Sequence, residues 1–169
     1  MLLLCNRLSQ LRFGQLMQVY AQGAAENGAE FYPDLSANEQ ILRAEQDFYA
    51  YLQTGFFTQH GDLYCIWEEK GVYISALRLQ KFQDGLLLEA LETHPDYRRQ
   101  GYAGRLIQAV LEELRPQKLY SHIGHKNLAS QATHLKCGFR KIADHARYAD
   151  GSVNSYCGTY LYETENAGI

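Results

Sequence analysis

Residues 98–104 read Arg-Arg-Gln-Gly-Tyr-Ala-Gly and stand directly before a run with helical periodicity. Glycine permits a tight turn, and small residues let a ligand approach the backbone closely. A helix start carries unpaired N–H groups and a partial positive charge, which together attract phosphate. Arg98 and Arg99 add charge, and a guanidinium matches phosphate geometry. The stretch is therefore a candidate pyrophosphate site formed by Arg98, Arg99, Gln100, Gly101, Tyr102, Ala103 and Gly104. The same residues would also serve as a plain tight turn with solvated arginines. Two other phosphate motifs do not fit: there is no G-x(4)-G-K-S/T loop, and no G-x-G-x-x-G here.

The whole chain bounds what such a site can belong to. Its 169 residues suit one domain of ordinary size, spanning 1–169. A hydrophobic content of 46% and a charged content of 21% are those of a soluble globular protein. Such a length buries a core without disulfides or a structural metal. A net charge of -3 argues against a general nucleic-acid binder, which would be basic. Cys5, Cys65, Cys137 and Cys157 are scattered with no C-x-x-C pair, so reduced thiols and a cytoplasmic location are expected. The apolar opening is too short for a signal peptide and runs into Asn6 and Arg7. No 18 apolar residues run together, so no membrane span is expected.

Periodicity predicts the elements that would position the site. Residues 2–5 form a short strand. Leu11, Leu16, Met17, Val19, Tyr20 and Ala24 have near-helical spacing over 11–25, with Gly23 and Gly28 weakening the end and 31–34 a loop. Ser36 and Glu39 have capping-box spacing, and Ile41, Leu42, Glu45, Phe48, Tyr49 and Leu52 mark a second helical face. Strands follow over 63–67 and 72–79 around a Glu69-Lys70-Gly71 turn, then over 86–93 after Asp84-Gly85. Leu106, Ile107, Val110, Leu111 and Leu114 form the apolar stripe of the helix after the glycine turn, and Pro116 stops it. A strand over 118–123 and a helix over 128–137, ended by Gly138, come next. Two strands, 138–148 and 153–162, close the chain around Asp150-Gly151. The order is β-α-α-β-β-β-α-β-α-β-β, a mixed α/β fold.

Arg98-Arg99-Gln100-Gly101-Tyr102-Ala103 resembles the Q/R-x-x-G-x-G/A motif of the GNAT superfamily of acyl-CoA-dependent N-acyltransferases. Leu91-Glu92-Thr93-His94-Pro95 is similar to that family's L-x-V-x-P, with Thr93 in place of valine. Asn127, Ser130, His134, Lys136, Gly138 and Phe139 match the spacing of its N-x-x-A-x-x-x-Y-x-K-x-G-F. The motifs cover about residues 86–139, and the element order agrees over nearly the whole chain.

The resemblance implies a GNAT fold whose fourth and fifth strands splay apart to receive acetyl-CoA. Leu91, Glu92 and Thr93 would pair with the pantetheine arm, and Asn127 would hydrogen-bond it. The pyrophosphate would lie on N–H groups of residues 99–104. The reaction implied is direct attack of a primary amine on the thioester. A lysine-like amine has a pKa of ~10.4 and needs a base. Glu89 is the first candidate, on a strand face shared with Leu87, Leu91 and Thr93 if the strand is regular. Glu92 is the second, because a bulge would change the parity. A fourth-strand N–H near Thr93 would serve the oxyanion. His134 stands where the family keeps an acidic tyrosine, and a histidine can protonate a thiolate. Tyr102, Tyr120, Tyr148 and Tyr156 are substitutes of equal standing.

Two rival readings accompany this one. His122, His125, His134 and Cys137 have zinc-like spacing, although no metal is expected. The fold could also hold coenzyme A without catalysis, as a sensor or interaction module. The acceptor is expected to be a small-molecule or peptide amine, with no nucleic-acid or membrane partner, and the protein a monomer or homodimer. By analogy with the family the acceptor pocket falls roughly at 20–57 and 145–156. There aromatics stand beside Glu26, Glu30, Asp34 and Glu39, a composition suited to a cationic amine.

Overall fold

The computed structural model describes residues 1–58 and 61–164. The elements in chain order are β1 (Leu2–Cys5), α1 (Phe13–Val19), α2 (Ala21–Phe31), α3 (Ala37–Thr54), β2 (Leu63–Glu69), β3 (Val72–Phe82) and β4 (Gly85–Thr93). There follow α4 (Tyr102–Leu114), β5 (Lys118–Gly124), α5 (Leu128–Lys136), β6 (Arg140–Ala143), β7 (Ala146–Arg147), β8 (Val153–Asn154) and β9 (Cys157–Glu163). One sheet runs in the order β1-β2-β3-β4-β5-β9-β6, and β7 and β8 form a separate ribbon. Within the sheet β4 and β5 pair parallel, and the other neighbours pair antiparallel.

Local chemistry explains most boundaries. Lys70 and Gly71 both have positive φ, 50° and 81°, as a two-residue hairpin turn requires. Ser36 and Glu39 form the expected capping box at the start of α3. Leu106, Ile107, Val110 and Leu111 of α4 are buried against Leu77, Leu79, Leu88 and Leu119 of the sheet. Leu16, Met17, Val19 and Leu52 of α1 and α3 cover the other face, against Tyr64, Ile66 and Ala76. Each such side chain contributes about 1.5–3 kcal/mol by burial.

Three elements depart from the sequence reading. The helix expected over 11–25 is two helices, broken at Tyr20 (φ −95°, ψ 15°), whose hydroxyl is held by the sheet. The second of them runs on through Gly23 and Gly28 to Phe31. The strands expected over 138–148 and 153–162 are each broken. After Ala143 pairs with Thr159, the chain turns at His145, whose carbonyl accepts from the Thr159 hydroxyl at 2.7 Å. Residues 146–154 then leave the sheet as the β7–β8 ribbon, with its turn at Asp150-Gly151 as expected.

Gly28 has a packing reason. A Cβ there would lie 2.5 Å from the Gln40 carbonyl oxygen, so α2 and α3 touch backbone to backbone. Alanine normally favours a helix over glycine by about 1 kcal/mol. At Gly28 the sign reverses: Gly28→Ala is expected to cost about 1–3 kcal/mol, read as a lower urea midpoint. Gly23→Ala, on the same helix with nothing within 4 Å of its Cβ, should raise the midpoint.

Candidate active site

The site begins with a fault in the sheet. β4 and β5 pair only at Leu86–Leu119, Leu87–Tyr120 and Leu88–Ser121. One residue later β4 bulges. Its register against β3 jumps from Arg78–Glu89 to Ala76–Glu92, so Ala90 and Leu91 oppose Leu77 alone. Ala90 has φ +51°, and its carbonyl accepts a 2.6 Å hydrogen bond from the Tyr20 hydroxyl. The bulge corrects the regular alternation expected of this strand. Leu88 and Leu91 both face the α4 side, while Glu89 and Glu92, opposite Arg78 and Ala76, face the α1–α3 side.

Beyond the fault lies a cleft of about 540 Å³. Its walls are Leu91, Glu92 and Thr93 of β4, the turn into α4, and Asn127, Ala129, Ser130 and Thr133 at α5. Gln22, Gly23 and Glu26 of α2 close it; the resemblance puts this stretch at the acceptor pocket, and tertiary packing brings it to this cleft as well. Every residue expected around the cofactor lines this cleft except Gln100, which instead bonds the Asp96 carbonyl at 3.3 Å.

The turn is shaped by two left-handed residues, Arg99 (φ 60°) and Gly101 (φ 82°). Arg105 N–H makes the first helical bond, to Gly101 at 3.0 Å, so the N–H groups of Tyr102, Ala103 and Gly104 precede any helical acceptor. The arginines divide their work. Arg98 braces the turn, donating to the Thr93 carbonyl at 3.2 Å and to Gln22 at 2.7 Å, with Glu92 at 3.8 Å. Arg99 is exposed on the cleft. A Cβ at Gly104 would lie 3.8 Å from Thr133 and 3.9 Å from Cys137, ordinary contact distances, so the packing of α4 on α5 does not itself require glycine there. Glu69, expected only as a hairpin-turn residue, ends β2 and accepts from Trp67, Tyr102 and Arg105, and so ties the start of α4 to β2.

A sequence profile of the acetyltransferase (GNAT) family matches residues 26–139. The chain belongs to this family. No curated protein sequence matches it. Among solved structures, the GNAT chain is similar to the ribosomal-protein-S18-alanine N-acetyltransferase from Escherichia coli, with TM-score 0.62, 17% identity and coverage of 99% of this chain and 97% of that one. It is similar to the PaiA N-acetyltransferase from Thermoplasma acidophilum, solved with coenzyme A, with TM-score 0.62, 12% identity and coverage of 97% and 99%. A spermidine N-acetyltransferase chimera containing the Vibrio cholerae SpeG matches with TM-score 0.56, 16% identity and coverage of 96% and 95%. At these identities the likeness is one of fold.

The GNAT candidates for acid and base occupy different settings. Glu89 lines neither this cleft nor the cavity beside it; it accepts from Gln80 at 2.5 Å, with Arg78 at 4.0 Å. Glu92 lines the cleft with 47% of its side chain exposed. Burial of the remainder raises its carboxyl pKa; Arg98 opposes that rise and Glu26 adds to it. His134 is buried on the inner side of α5, with its ring edge-on to Phe139. Its Nδ1 lies 2.8 Å from the Ser130 carbonyl, which only accepts, so Nδ1 carries the proton and Nε2, buried without a partner, has none to give. It meets the cleft only through Ser130. Asn127 lines the cleft and caps α5, accepting from Ser130 N–H at 3.1 Å.

Of the four tyrosines expected as substitutes, Tyr102 lines the cleft with its hydroxyl bonded to Glu69, Tyr120 bonds Asp84, Tyr148 meets Asn154, and Tyr156 is exposed. His122, His125, His134 and Cys137 do not converge; among the described residues no three such side chains form a metal-holding group. No helix among them is long and apolar enough to cross a membrane.

Burial lowers the pKa of His134 below 6.5, with the bond to Ser130 opposing, and burial lowers that of His122 as well. Below 6.5 the unfolded chain therefore binds protons that the folded chain refuses, and stability falls as pH falls. Urea titrations at about pH 7.5 and about pH 5.5 should show that loss, and His134→Phe should lose less over the same interval.

Proposed function

We propose that this chain is a single-domain, acetyl-CoA-dependent N-acetyltransferase acting on a primary amine. The observation that carries the reading is the junction of two clefts at the β4 bulge. One ends on the unpaired N–H groups of α4, and the other opens toward α1–α3. A long anionic cofactor fits the first. Leu91–Thr93 lie beyond the last β5 pair and suit an amide chain, and the space at the Gly101 Cβ position is open. Four cysteines without a disulfide agree with a cytosolic setting.

Acetyl-CoA supplies an acetyl group on sulfur: the amine nitrogen bonds its carbonyl carbon and the C–S bond breaks. Glu92 takes the amine proton, directly or through one water. Its raised pKa makes it a better base than an ordinary carboxylate. An N–H of the 91–93 segment stabilises the developing oxyanion. A thiol with pKa near ~8.5 leaves readily as thiolate, so His134 is not needed as an acid and instead positions α5.

Calorimetry with acetyl-CoA is expected to show binding by the wild type. Gly101→Glu should weaken it about 100-fold or more, through backbone strain and charge repulsion at the turn. Glu92→Gln should lower kcat about 10²–10⁴-fold while acetyl-CoA binding persists. Absence of wild-type binding would overturn the assignment; binding without turnover of any amine would leave a coenzyme A-binding module.

A further inference from the structure

A second cavity, of about 320 Å³, lies between α1–α3 and strands β3 and β4. It shares Gly23 with the cofactor cleft and is lined by Ala90, beside Leu91 of that cleft. A Cβ at Gly23 would meet nothing within 4 Å, so the wall the two cavities share is not filled there. Resting on the acetyltransferase reading above, we propose that this cavity selects a primary amine bearing a carboxylate on an apolar or aromatic body, an amino-acid-like acceptor, and that Arg78 receives the carboxylate.

The walls give the body. Met17, Tyr20, Phe48 and Tyr51 line the cavity, with Tyr20 and Phe48 centroids 5.8 Å apart and Phe48 stacked on Tyr51 at 6.3 Å. These are flat, rigid surfaces that bury an apolar group at little entropic cost.

The charge gives the rest. Among the described residues Arg78 is the one charged side chain in the lining; Glu89, its cross-strand ion-pair partner, lies outside it. The acids that composition suggested for a cationic acceptor lie elsewhere: Glu26 lines the cofactor cleft, and Glu30, Asp34 and Glu39 are exposed outside the cavity. The Arg78 side chain is only 16% exposed, and its Nε is buried with no acceptor. Tyr51 and Phe56 hold the guanidinium at 5.2 and 5.5 Å. Glu89 stands at 4.0 Å, beyond hydrogen-bond distance, and is already bonded to Gln80. With its ion pair to Glu89 long and its Nε without an acceptor, Arg78 has a donor left for an anion, and a carboxylate matches the guanidinium fork. A second ammonium, as in a polyamine, would instead be repelled in these low-dielectric surroundings.

The spacing gives the length. Arg78 is in register with Glu89, two residues before Leu91, where the cofactor cleft begins. Because the bulged Ala90 and Leu91 together oppose Leu77, the residue next to Arg78, Arg78 and Leu91 lie only one strand step of ~3.3 Å apart along β3, which the arginine side chain and a short amino acid cover together.

The test pairs amines that differ only in the carboxylate: phenylalanine against phenethylamine, leucine against isoamylamine, with spermidine as the polycation. Turnover is followed by thiol release from acetyl-CoA. At least one amino acid is expected to exceed its decarboxylated partner in kcat/KM by roughly 10- to 100-fold, the worth of one charge-assisted hydrogen bond, with spermidine lowest. Arg78→Met should abolish that preference, chiefly through a higher KM for the amino acid, while acetyl-CoA still binds, and Arg78→Lys should restore part of it. Decarboxylated amines or spermidine matching the amino acids, no turnover of either amino acid, or a preference that survives in Arg78→Met would overturn the proposal. If Arg78→Met does not fold, the wild-type ratio alone decides. Failure of acetyl-CoA to bind the wild type would instead remove the acetyltransferase reading itself.

Discussion

The site depends on the separation of two parallel strands. β4 and β5 are in close contact at one end, where a Cβ on Gly85 would lie 2.5 Å from the Lys118 carbonyl oxygen. Three residue pairs later the ladder stops. Strands that part leave N–H and C=O groups that no neighbour satisfies, and in a protein such groups need a partner. Tyr20 satisfies one, the Ala90 carbonyl, and in doing so pins the break between α1 and α2 to the bulge. The segment 91–93 remains turned toward the cleft.

The same fault organises the electrostatics. The bulge turns Glu89 and Glu92 to one side of the sheet but into different company. Glu89 is drawn to Gln80 and Arg78, whereas Glu92 is left half-exposed on the cleft. Positive charge and free N–H groups gather at the far end of that cleft, around Arg99 and the start of α4. Arg98 is spent on holding the turn to β4 and α2, so the two adjacent arginines are not equivalent. Glu69 secures α4 from outside through three donors on two elements, which keeps the anion-facing end of the helix fixed against β2.

The chain belongs to the GNAT family, and its fold accommodates that family's frame with local substitutions. Histidine at 134 faces the core and bonds its own helix, so the side chain has become part of the packing between α5 and Phe139. Serine at 130, in place of the family's alanine, stands between that histidine and the cleft.

Much of this was legible in the residues. The α4 stripe, the Ser36–Glu39 capping box, the Lys70-Gly71 and Asp150-Gly151 turns and the small residues before α4 are local signals, because caps, turns and helical faces are set by neighbours within a few positions. The order of elements and the cofactor-facing turn follow from them. What the chain could not disclose locally were contacts made across long separations. The helix breaks at Tyr20, whose hydroxyl meets the Ala90 carbonyl seventy residues away. Gly28 stays helical because α2 must touch α3. Arg78 Nε is left without an acceptor because β3 and the helices bury it together. The parity of β4, and with it which glutamate meets the cleft, turns on one inserted residue, since side chains alternate with a period of two and a single bulge reverses every assignment beyond it.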